Sequence, residues 1–143
     1  MAQPHTKSWT IPSTNAEAAQ VQQGIVDAIQ EREYNREALF AIRLALDEAL
    51  VNAVKHGNQG DADKNVKIDF AIDDERVVIE IEDEGVGFDP ADVPDPTDPE
   101  NVGNPNGRGV MLMRAYMTEV RFNDNGNRVT LIKRRDCERP HSG

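Results

Sequence analysis

The amino-acid sequence predicts an α+β domain, a two-layer α/β sandwich in which a mixed, mostly antiparallel sheet carries helices on one face. Three observations predict this fold class. Two early segments repeat their apolar residues at helical spacing, two later segments alternate apolar and polar residues, and turn signals indicate two hairpins. The apolar stripes of the helices need a surface that buries them, and one face of a sheet supplies it. We expect one domain over residues 1–143.

A short strand and two helices make up the first part of the chain. The alternating segment KSWTIP predicts the strand, and residues 13–33 predict helix one, with Ser, Thr and Asn as capping candidates. Helix two begins after the cap Asn35 and ends at Gly57, a residue type that favours helix termination. Its apolar face consists of Leu39, Ile42, Leu46, Leu50 and Ala53.

Two hairpins and a third helix make up the rest. Residues 66–72 and 76–83 alternate with period two around a DDE turn, and a second hairpin follows residue 117 with Asn125-Gly126 at its turn. Residues 88–106 contain five of the eight prolines, which excludes regular structure and predicts a lid. We expect the third helix, which starts at the GRG segment, to place its methionines in the core, and residues 136–143 to form a flexible tail.

Charge and cysteine content limit the classes of function. The formal net charge is −10, from 26 acidic and 16 basic residues, which argues against direct binding of nucleic acid. The single cysteine, Cys137, excludes a disulfide within the chain and fits a reducing cytoplasm. No apolar run is long enough to suggest a signal peptide or a membrane helix. We therefore expect a cytoplasmic protein without a membrane segment.

Helix two carries a first polar motif on the side away from its apolar face. Glu48 and Asn52 lie one turn apart, about 40° around the helix axis. An amide oxygen suits Mg²⁺ that is already held by phosphates, and a carboxylate one turn away can orient a hydroxyl or accept its proton. The alternative is an ordinary solvated helix face.

A second motif, EDEGVGF, follows a predicted strand. Gly85 and Gly87 allow the backbone to turn sharply and a ligand to come close. The Asp83 carboxylate could accept hydrogen bonds from an exocyclic amine such as that of adenine. The alternative is a glycine-rich turn closed by a local bond to the aspartate.

A third motif, NGRGVMLM, opens the third helix. The backbone amides of Gly107, Gly109 and Val110 lie near a helix N-terminus, where the helix dipole favours an anion such as phosphate, and Arg108 adds a positive charge. The alternative is a flexible loop that leads into an ordinary helix.

The three motifs together, in this order and separated by a lid, resemble the N, G1 and G2 boxes of the GHKL ATPase superfamily. The segments LDEALVNAVKHGN, DEGVGFD and GRGVMLMRAYMTEVRF resemble the anti-sigma factor serine/threonine protein kinases, the RsbW-like family, over residues 8–135. The resemblance implies a Bergerat-type ATP site, the fold of the histidine-kinase ATPases. It implies that the protein uses ATP and Mg²⁺ to phosphorylate a STAS-type anti-anti-sigma factor. It also implies that the protein sequesters a sigma factor and forms a homodimer.

The resemblance also assigns roles to particular residues. Asn52 matches the asparagine that holds Mg²⁺, and Glu48 matches the carboxylate that acts as general base. Asp83 matches the aspartate that reads adenine. The glycines that shape that pocket and the residues that cradle the phosphates are Gly85, Gly87, Gly107, Arg108, Gly109 and Val110.

Two positions depart from the family pattern. Pro105 stands where one branch of the family has an arginine, a role that Arg108 could take instead, and a threonine of the last hairpin is replaced near Arg128. These departures leave open an ATP-binding regulator that sequesters a sigma factor or another partner without phosphoryl transfer. Two further alternatives are the catalytic domain of a sensor histidine kinase and an α+β domain without nucleotide.

Overall fold

A computed structural model describes residues 5–58, 61–85, 105–123 and 126–135 of the chain. Its elements in chain order, with α2 continued by a π-helical turn, are β1 His5–Pro12, α1 Asn15–Glu31, α2 Arg36–Val51, the π-helical turn Asn52–Gly57, β2 Asn65–Ile72, β3 Arg76–Glu82, α3 Pro105–Tyr116, β4 Glu119–Phe122 and β5 Arg128–Arg134. The predicted order of strand, two helices, hairpin, helix and hairpin is confirmed.

The five strands form one sheet in the order β1-β2-β3-β5-β4. Ile68 of β2 pairs with Ile81 of β3, and Ile79 of β3 pairs with Leu131 of β5, so their side chains share one face. The α+β fold class is therefore confirmed. The sheet was expected to be mixed and mostly antiparallel. All four pairings between the described strands are antiparallel.

The core lies between one face of the sheet and the helices. Alternate residues of β2 and β3 are buried, as their period-two pattern predicts, and the buried stripes of α1 and α2 pack against them in one apolar cluster. Helix α1 contacts β1 and β2, α2 contacts β5, and α3 contacts α2 and β4. The two methionines of α3 differ in burial. Met113 is buried as predicted, whereas Met111 is 43% exposed.

The two long helices begin where their capping residues predict. The Thr14 hydroxyl accepts a hydrogen bond from the Glu17 N–H at 3.3 Å, and the Asn35 side chain accepts one from the Ala38 N–H at 2.7 Å. Each bond satisfies an amide that has no partner within its helix. The first turns of α1 and α2 are therefore fixed by local sequence.

The second helix differs from the prediction at its end. The α-helical hydrogen bonding stops at Val51, and Asn52–Gly57 forms a wider π-helical turn that Asn58 caps, rather than Gly57. The Asn58 N–H donates to the Ala53 carbonyl at 2.9 Å, the five-residue spacing of a π-helix. Such turns are rare and often mark functional sites. Here the turn begins at Asn52, the residue predicted to hold Mg²⁺.

The third helix starts two residues before its predicted start, at Pro105, and so includes the last two residues of the predicted lid. Proline is favoured at the first helical position because its missing N–H would have no helical partner there. Gly87, residues 88–104 of the lid and the tail 136–143 lie outside the described residues. In the described part of the chain, no helix has the length and apolarity to cross a membrane.

Candidate nucleotide-binding site

Glu48 and Asn52 lie at the end of α2, where the helix passes into the π-helical turn. Both side chains are half-buried, whereas the neighbouring Ala49 and Ala53 are buried in the core. The Asn52 backbone N–H lies within hydrogen-bonding reach of the Glu48 and Ala49 carbonyls, which keeps the two polar residues in consecutive turns. The stripe predicted from the sequence therefore lies at the rim of the core, between buried and solvated surface.

Asp83 directly follows β3 and is held in a tight local turn. Its carboxylate accepts a hydrogen bond from the Gly85 N–H at 2.8 Å, the local bond that the sequence offered as an alternative to ligand binding. The two roles are compatible, because a carboxylate can accept several hydrogen bonds. Burial raises the pKa of the Asp83 carboxyl above its ordinary value, and the bond from Gly85 acts in the opposite direction. A partly buried carboxylate of this kind can accept a hydrogen bond from an amine.

Three consecutive backbone N–H groups at this loop have partners. The N–H of Asp83 donates to the Asn127 carbonyl at 2.9 Å, that of Glu84 donates to the Asn58 side-chain oxygen at 2.8 Å, and that of Gly85 donates to Asp83 itself. The Glu84 carboxylate also accepts a hydrogen bond from the Asn65 N–H. The loop that carries Asp83 is therefore fixed on both sides by residues far away in the chain.

Asn58 provides one of these supports, and its relative exposure is 0%. Its side-chain N–H₂ donates to the Ser13 hydroxyl at 2.7 Å and to the Asn65 carbonyl at 3.0 Å, and its oxygen accepts from Glu84. The Ser13 hydroxyl in turn donates to the Lys64 carbonyl at 2.7 Å. Asn58 was not predicted as a site residue, because an asparagine after a helix-ending glycine resembles an ordinary loop residue.

Asn127 provides the second support, from the hairpin between β4 and β5. Its side-chain N–H₂ donates to the Asp83 carbonyl at 3.1 Å, and its side-chain oxygen accepts from the Asn123 amide at 2.7 Å. The Asn123 oxygen accepts from the N–H groups of Asn127 and Arg128 at 3.0 and 3.1 Å. Asn127 also escaped selection. The neighbouring Arg128, near which the sequence departs from the family pattern, has an exposed side chain.

The third motif lies in the first turns of α3, of which residues 105–110 are described by their helical backbone alone. In a helix that begins at Pro105, the N–H groups of Asn106 and Gly107 have no helical partner. Those of Gly109 and Val110 pair with carbonyls one turn earlier. A role for Gly109 and Val110 as amide donors to phosphate therefore requires this turn to open.

The elements that carry the three motifs are joined to one another. Helix α3 contacts both α2 and the π-helical turn, and Asn58 connects that turn to the loop of Asp83 through Glu84. The loop is linked in turn to the last hairpin through Asn127. Within the described ranges, no group of three or more His, Cys, Asp and Glu side chains is arranged to hold a metal ion.

The comparisons with known proteins identify the class. Residues 11–133 match the family model described as the histidine kinase-like ATPase domain. The RsbU and RsbW domains of a Mycobacterium tuberculosis protein share the fold. The TM-score is 0.63 at 19% identity, over 95% of this chain and 33% of the neighbour's chain, so this chain spans a third of that structure. The chain is therefore a member of the histidine kinase-like ATPase domain family.

Sequence relatives narrow the class further. The chain is 31% identical over 117 residues to the serine-protein kinase RsbW of Bacillus licheniformis, covering 77% of this chain and 73% of that protein. It is 26% identical over 110 residues to the RsbW of a Listeria monocytogenes strain, covering 70% and 68%. It is 28% identical over 113 residues to the anti-sigma F factor of Clostridium novyi, covering 74% and 78%. The chain belongs to the RsbW-like group of the histidine kinase-like ATPase family.

Proposed function

We propose that this protein is an ATP-dependent serine/threonine protein kinase and anti-sigma factor that phosphorylates a STAS-type anti-anti-sigma partner. The observation that carries the proposal is the connection between the first two motifs. The Asn58–Glu84 hydrogen bond joins the helix end that bears Asn52 to the loop that bears Asp83. The names of the relatives, serine-protein kinase and anti-sigma F factor, support the same function.

In this proposal the adenine base lies against Asp83, and the phosphates lie between the end of α2 and the start of α3. The Asp83 carboxylate accepts a hydrogen bond from the adenine amine, and Gly85 and Gly87 let the base come close. The Gly107 amide, which has no partner within α3, and the N-terminal dipole of that helix attract phosphate, with Arg108 as an added positive charge. Gly109 and Val110 contribute their amides when the first turn of α3 opens.

The residues at the end of α2 suit Mg²⁺ in a nucleotide complex. The half-buried Asn52 offers an amide oxygen, a hard ligand, and Mg²⁺ is usually held by one or two protein groups together with substrate phosphates. When bound, the ion neutralises charge that builds up on the phosphate oxygens. Asn52 is therefore the residue that we assign to hold it.

Phosphoryl transfer in this proposal uses Glu48 as the general base. The hydroxyl oxygen of the partner's serine or threonine forms a bond to the terminal phosphorus while the bond from that phosphorus to the oxygen it shares with the β-phosphate breaks, which releases ADP. Glu48 accepts the hydroxyl proton. Its half-buried position at the rim of the core leaves it accessible to a protein substrate. The remaining catalysis is positioning and charge stabilisation by the groups around the phosphates.

The direct test compares Glu48→Gln with Glu37→Gln, an exposed glutamate in the first turn of the same helix. Incubation with Mg-ATP and a STAS protein encoded beside this chain, followed by mass spectrometry, reports transfer. We expect Glu48→Gln to lower the transfer rate by about 10²–10⁴-fold, the usual contribution of a general base, while ATP affinity is kept. The Glu37→Gln variant should behave like the wild type. Absence of transfer by the wild type to every neighbouring STAS protein would contradict kinase activity.

A second function is supported by the departures from the family pattern at Pro105 and near Arg128. In this alternative the protein is a nucleotide-gated regulator that sequesters a sigma factor or another partner without phosphoryl transfer. The RsbW-like group membership is compatible with both functions. Tight binding of Mg-ATP and of the partner, with no phosphorylated product, would favour this alternative over the kinase.

The homodimer and the cytoplasmic location stay proposals for both functions. Analytical ultracentrifugation tests the first and cell fractionation tests the second.

A further inference from the structure

We infer that Asn58 and Asn127 are positioning residues that set the base selectivity of the nucleotide site by clamping the Asp83 loop from two sides. This inference rests on the proposed function, because it assigns the loop to the nucleotide base. Asn58 is the last residue of the segment LDEALVNAVKHGN, but the resemblance to the family assigns a role to neither asparagine. Each reaches the loop from a different part of the chain, Asn58 from the π-helical turn and Asn127 from the β4–β5 hairpin.

The Asn58 side of the clamp is buried and fully paired. Its side-chain oxygen accepts from Glu84, and both of its side-chain donor bonds go to groups at the ends of β1 and β2. A fully buried amide with this set of partners has one orientation, since any rotation would leave a buried polar group without a hydrogen bond. The Glu84 N–H is therefore held at a fixed position relative to the helix end that bears Asn52.

The Asn127 side of the clamp holds Asp83, the residue before Glu84. Asn127 bonds Asp83 twice, because its carbonyl accepts from the Asp83 N–H at 2.9 Å and its side-chain amide donates to the Asp83 carbonyl at 3.1 Å. Gly126, with a φ of 72°, provides the left-handed turn that places Asn127 opposite Asp83. Both backbone groups of Asp83 are thus fixed, so the direction of its side chain is set by the hairpin.

A fixed carboxylate can distinguish adenine from guanine. Adenine carries an exocyclic amine, a donor, at the position where guanine carries a carbonyl oxygen, an acceptor. Two facing acceptors repel each other, and a site that cannot move away from the wrong group rejects it strongly. A loop that could shift would relieve that repulsion. Because the clamp holds the Asp83 carboxylate in place, the site accepts only a base that presents a hydrogen-bond donor to that carboxylate.

The test uses Asn127→Asp, a change of the same shape at a half-exposed position. Aspartate keeps the oxygen that accepts from Asn123 but presents an acceptor instead of a donor to the Asp83 carbonyl. The matched control is Asp73→Ala, which removes a turn-capping side chain at the opposite end of β3. Calorimetry gives the affinities for ATP and GTP. Hydrogen exchange with mass spectrometry gives the protection of amides 83–85.

We expect Asn127→Asp to reduce the ratio of ATP to GTP affinity by about tenfold, the equivalent of one hydrogen bond, and to speed exchange at amides 83–85. The Asp73→Ala control should lower stability but leave both the affinity ratio and the local exchange unchanged. If Asn127→Asp does not fold, Asn127→Ala should show the same two effects more weakly.

Three results would overturn the inference. The first is an equal loss of ATP and GTP affinity, which would show a general structural role. The second is unchanged exchange at amides 83–85 in a folded Asn127 variant, which would show that the clamp does not hold the loop. The third is a wild type that binds neither nucleotide, which defeats the proposed function together with base selectivity. In that case faster exchange in the variant would still show a clamp of purely structural purpose, so the two failures are distinguishable.

Discussion

The side-chain oxygen of Asn58 accepts a hydrogen bond from the backbone N–H of Glu84 at 2.8 Å, across 26 positions of the chain. This bond connects the end of the π-helical turn to the loop beside β3. It therefore helps to set the distance between Asn52, which we propose holds Mg²⁺, and Asp83, which we propose binds the adenine base.

Replacing Asn58 by alanine should lower the free energy of unfolding substantially. The substitution leaves the Glu84 N–H, the Ser13 hydroxyl and the Asn65 carbonyl without their present partner. The Ser13 hydroxyl keeps its bond to Lys64, whereas the part-buried Glu84 N–H and Asn65 carbonyl lose a partner, and a group left unpaired away from water costs about 1–3 kcal/mol. Urea unfolding followed by circular dichroism measures the loss. Asn65→Ala is the matched control, because the Asn65 side chain is exposed; it should stay within about 0.5 kcal/mol of the wild type. Equal stability of the two variants would remove the proposed importance of the Asn58 bonds.

Replacing Asp83 by asparagine should stabilise the protein near neutral pH while weakening ATP binding. Burial raises the pKa of Asp83 in the folded state, so folding binds protons between the unfolded and folded pKa values. The stability of the wild type therefore falls as the pH rises through that window. An asparagine side chain does not ionise, so the variant does not lose this stability. The gain over the wild type should shrink as the pH approaches about 4, the ordinary range of the carboxyl group. Urea unfolding at several pH values and calorimetry with ATP measure both effects. A variant less stable than the wild type at neutral pH would contradict this prediction.

Asp73 should show the opposite pH dependence. Hydrogen bonds from the N–H groups of Arg76 and Glu75 lower the pKa of Asp73 in the folded state. Its contribution to stability is therefore present above the unfolded pKa and is lost as the pH falls through the folded pKa. Asp73→Ala should be less stable than the wild type at neutral pH, and the two unfolding curves should converge in acid. If the difference in unfolding free energy between the two proteins stays constant with pH, the charge of Asp73 does not contribute to that difference.

Two glycines should respond to alanine in opposite directions. Gly24 lies inside α1, where an added Cβ would meet Trp9 at an ordinary contact distance of 3.6 Å, so Gly24→Ala should stabilise by about 0.5–1 kcal/mol. Gly126 has a φ of 72°, so Gly126→Ala should destabilise by about 1 kcal/mol or more. Thermal unfolding monitored through Trp9, the single tryptophan, compares them. Stabilisation by both substitutions would contradict the described turn at Gly126.

The sequence predicted those parts of the fold that depend on local pattern. The alternation in β2 and β3 predicted their buried faces. Asn35 predicted the start of α2, and the start of α1 falls at Thr14, one of the three capping candidates. These features depend on neighbouring residues, so a single sequence contains the information. The start of α3 at Pro105 was missed because the proline-rich composition before it suggested a loop up to residue 106.

The features that connect the site could not be predicted in this way. Ala53 and Val54 are buried in a π-helical turn as they would be in an α-helix, so the apolar pattern does not reveal the wider turn. Asn58 and Asn127 act through partners that only the folded chain brings near them. The site residues were predicted because their types and order resemble a family, whereas that resemblance assigns no role to either asparagine.

The most direct test of the account is a titration of the isotopically labelled protein with Mg-ATP, followed by nuclear magnetic resonance of the backbone amides. If one nucleotide contacts all three motifs, the signals of Asn52, of Asp83–Gly85 and of Gly107 should shift together and give one dissociation constant. Signals that shift at only one motif, or with different dissociation constants, would contradict a single site. The absence of any shift at saturating nucleotide would contradict nucleotide binding itself.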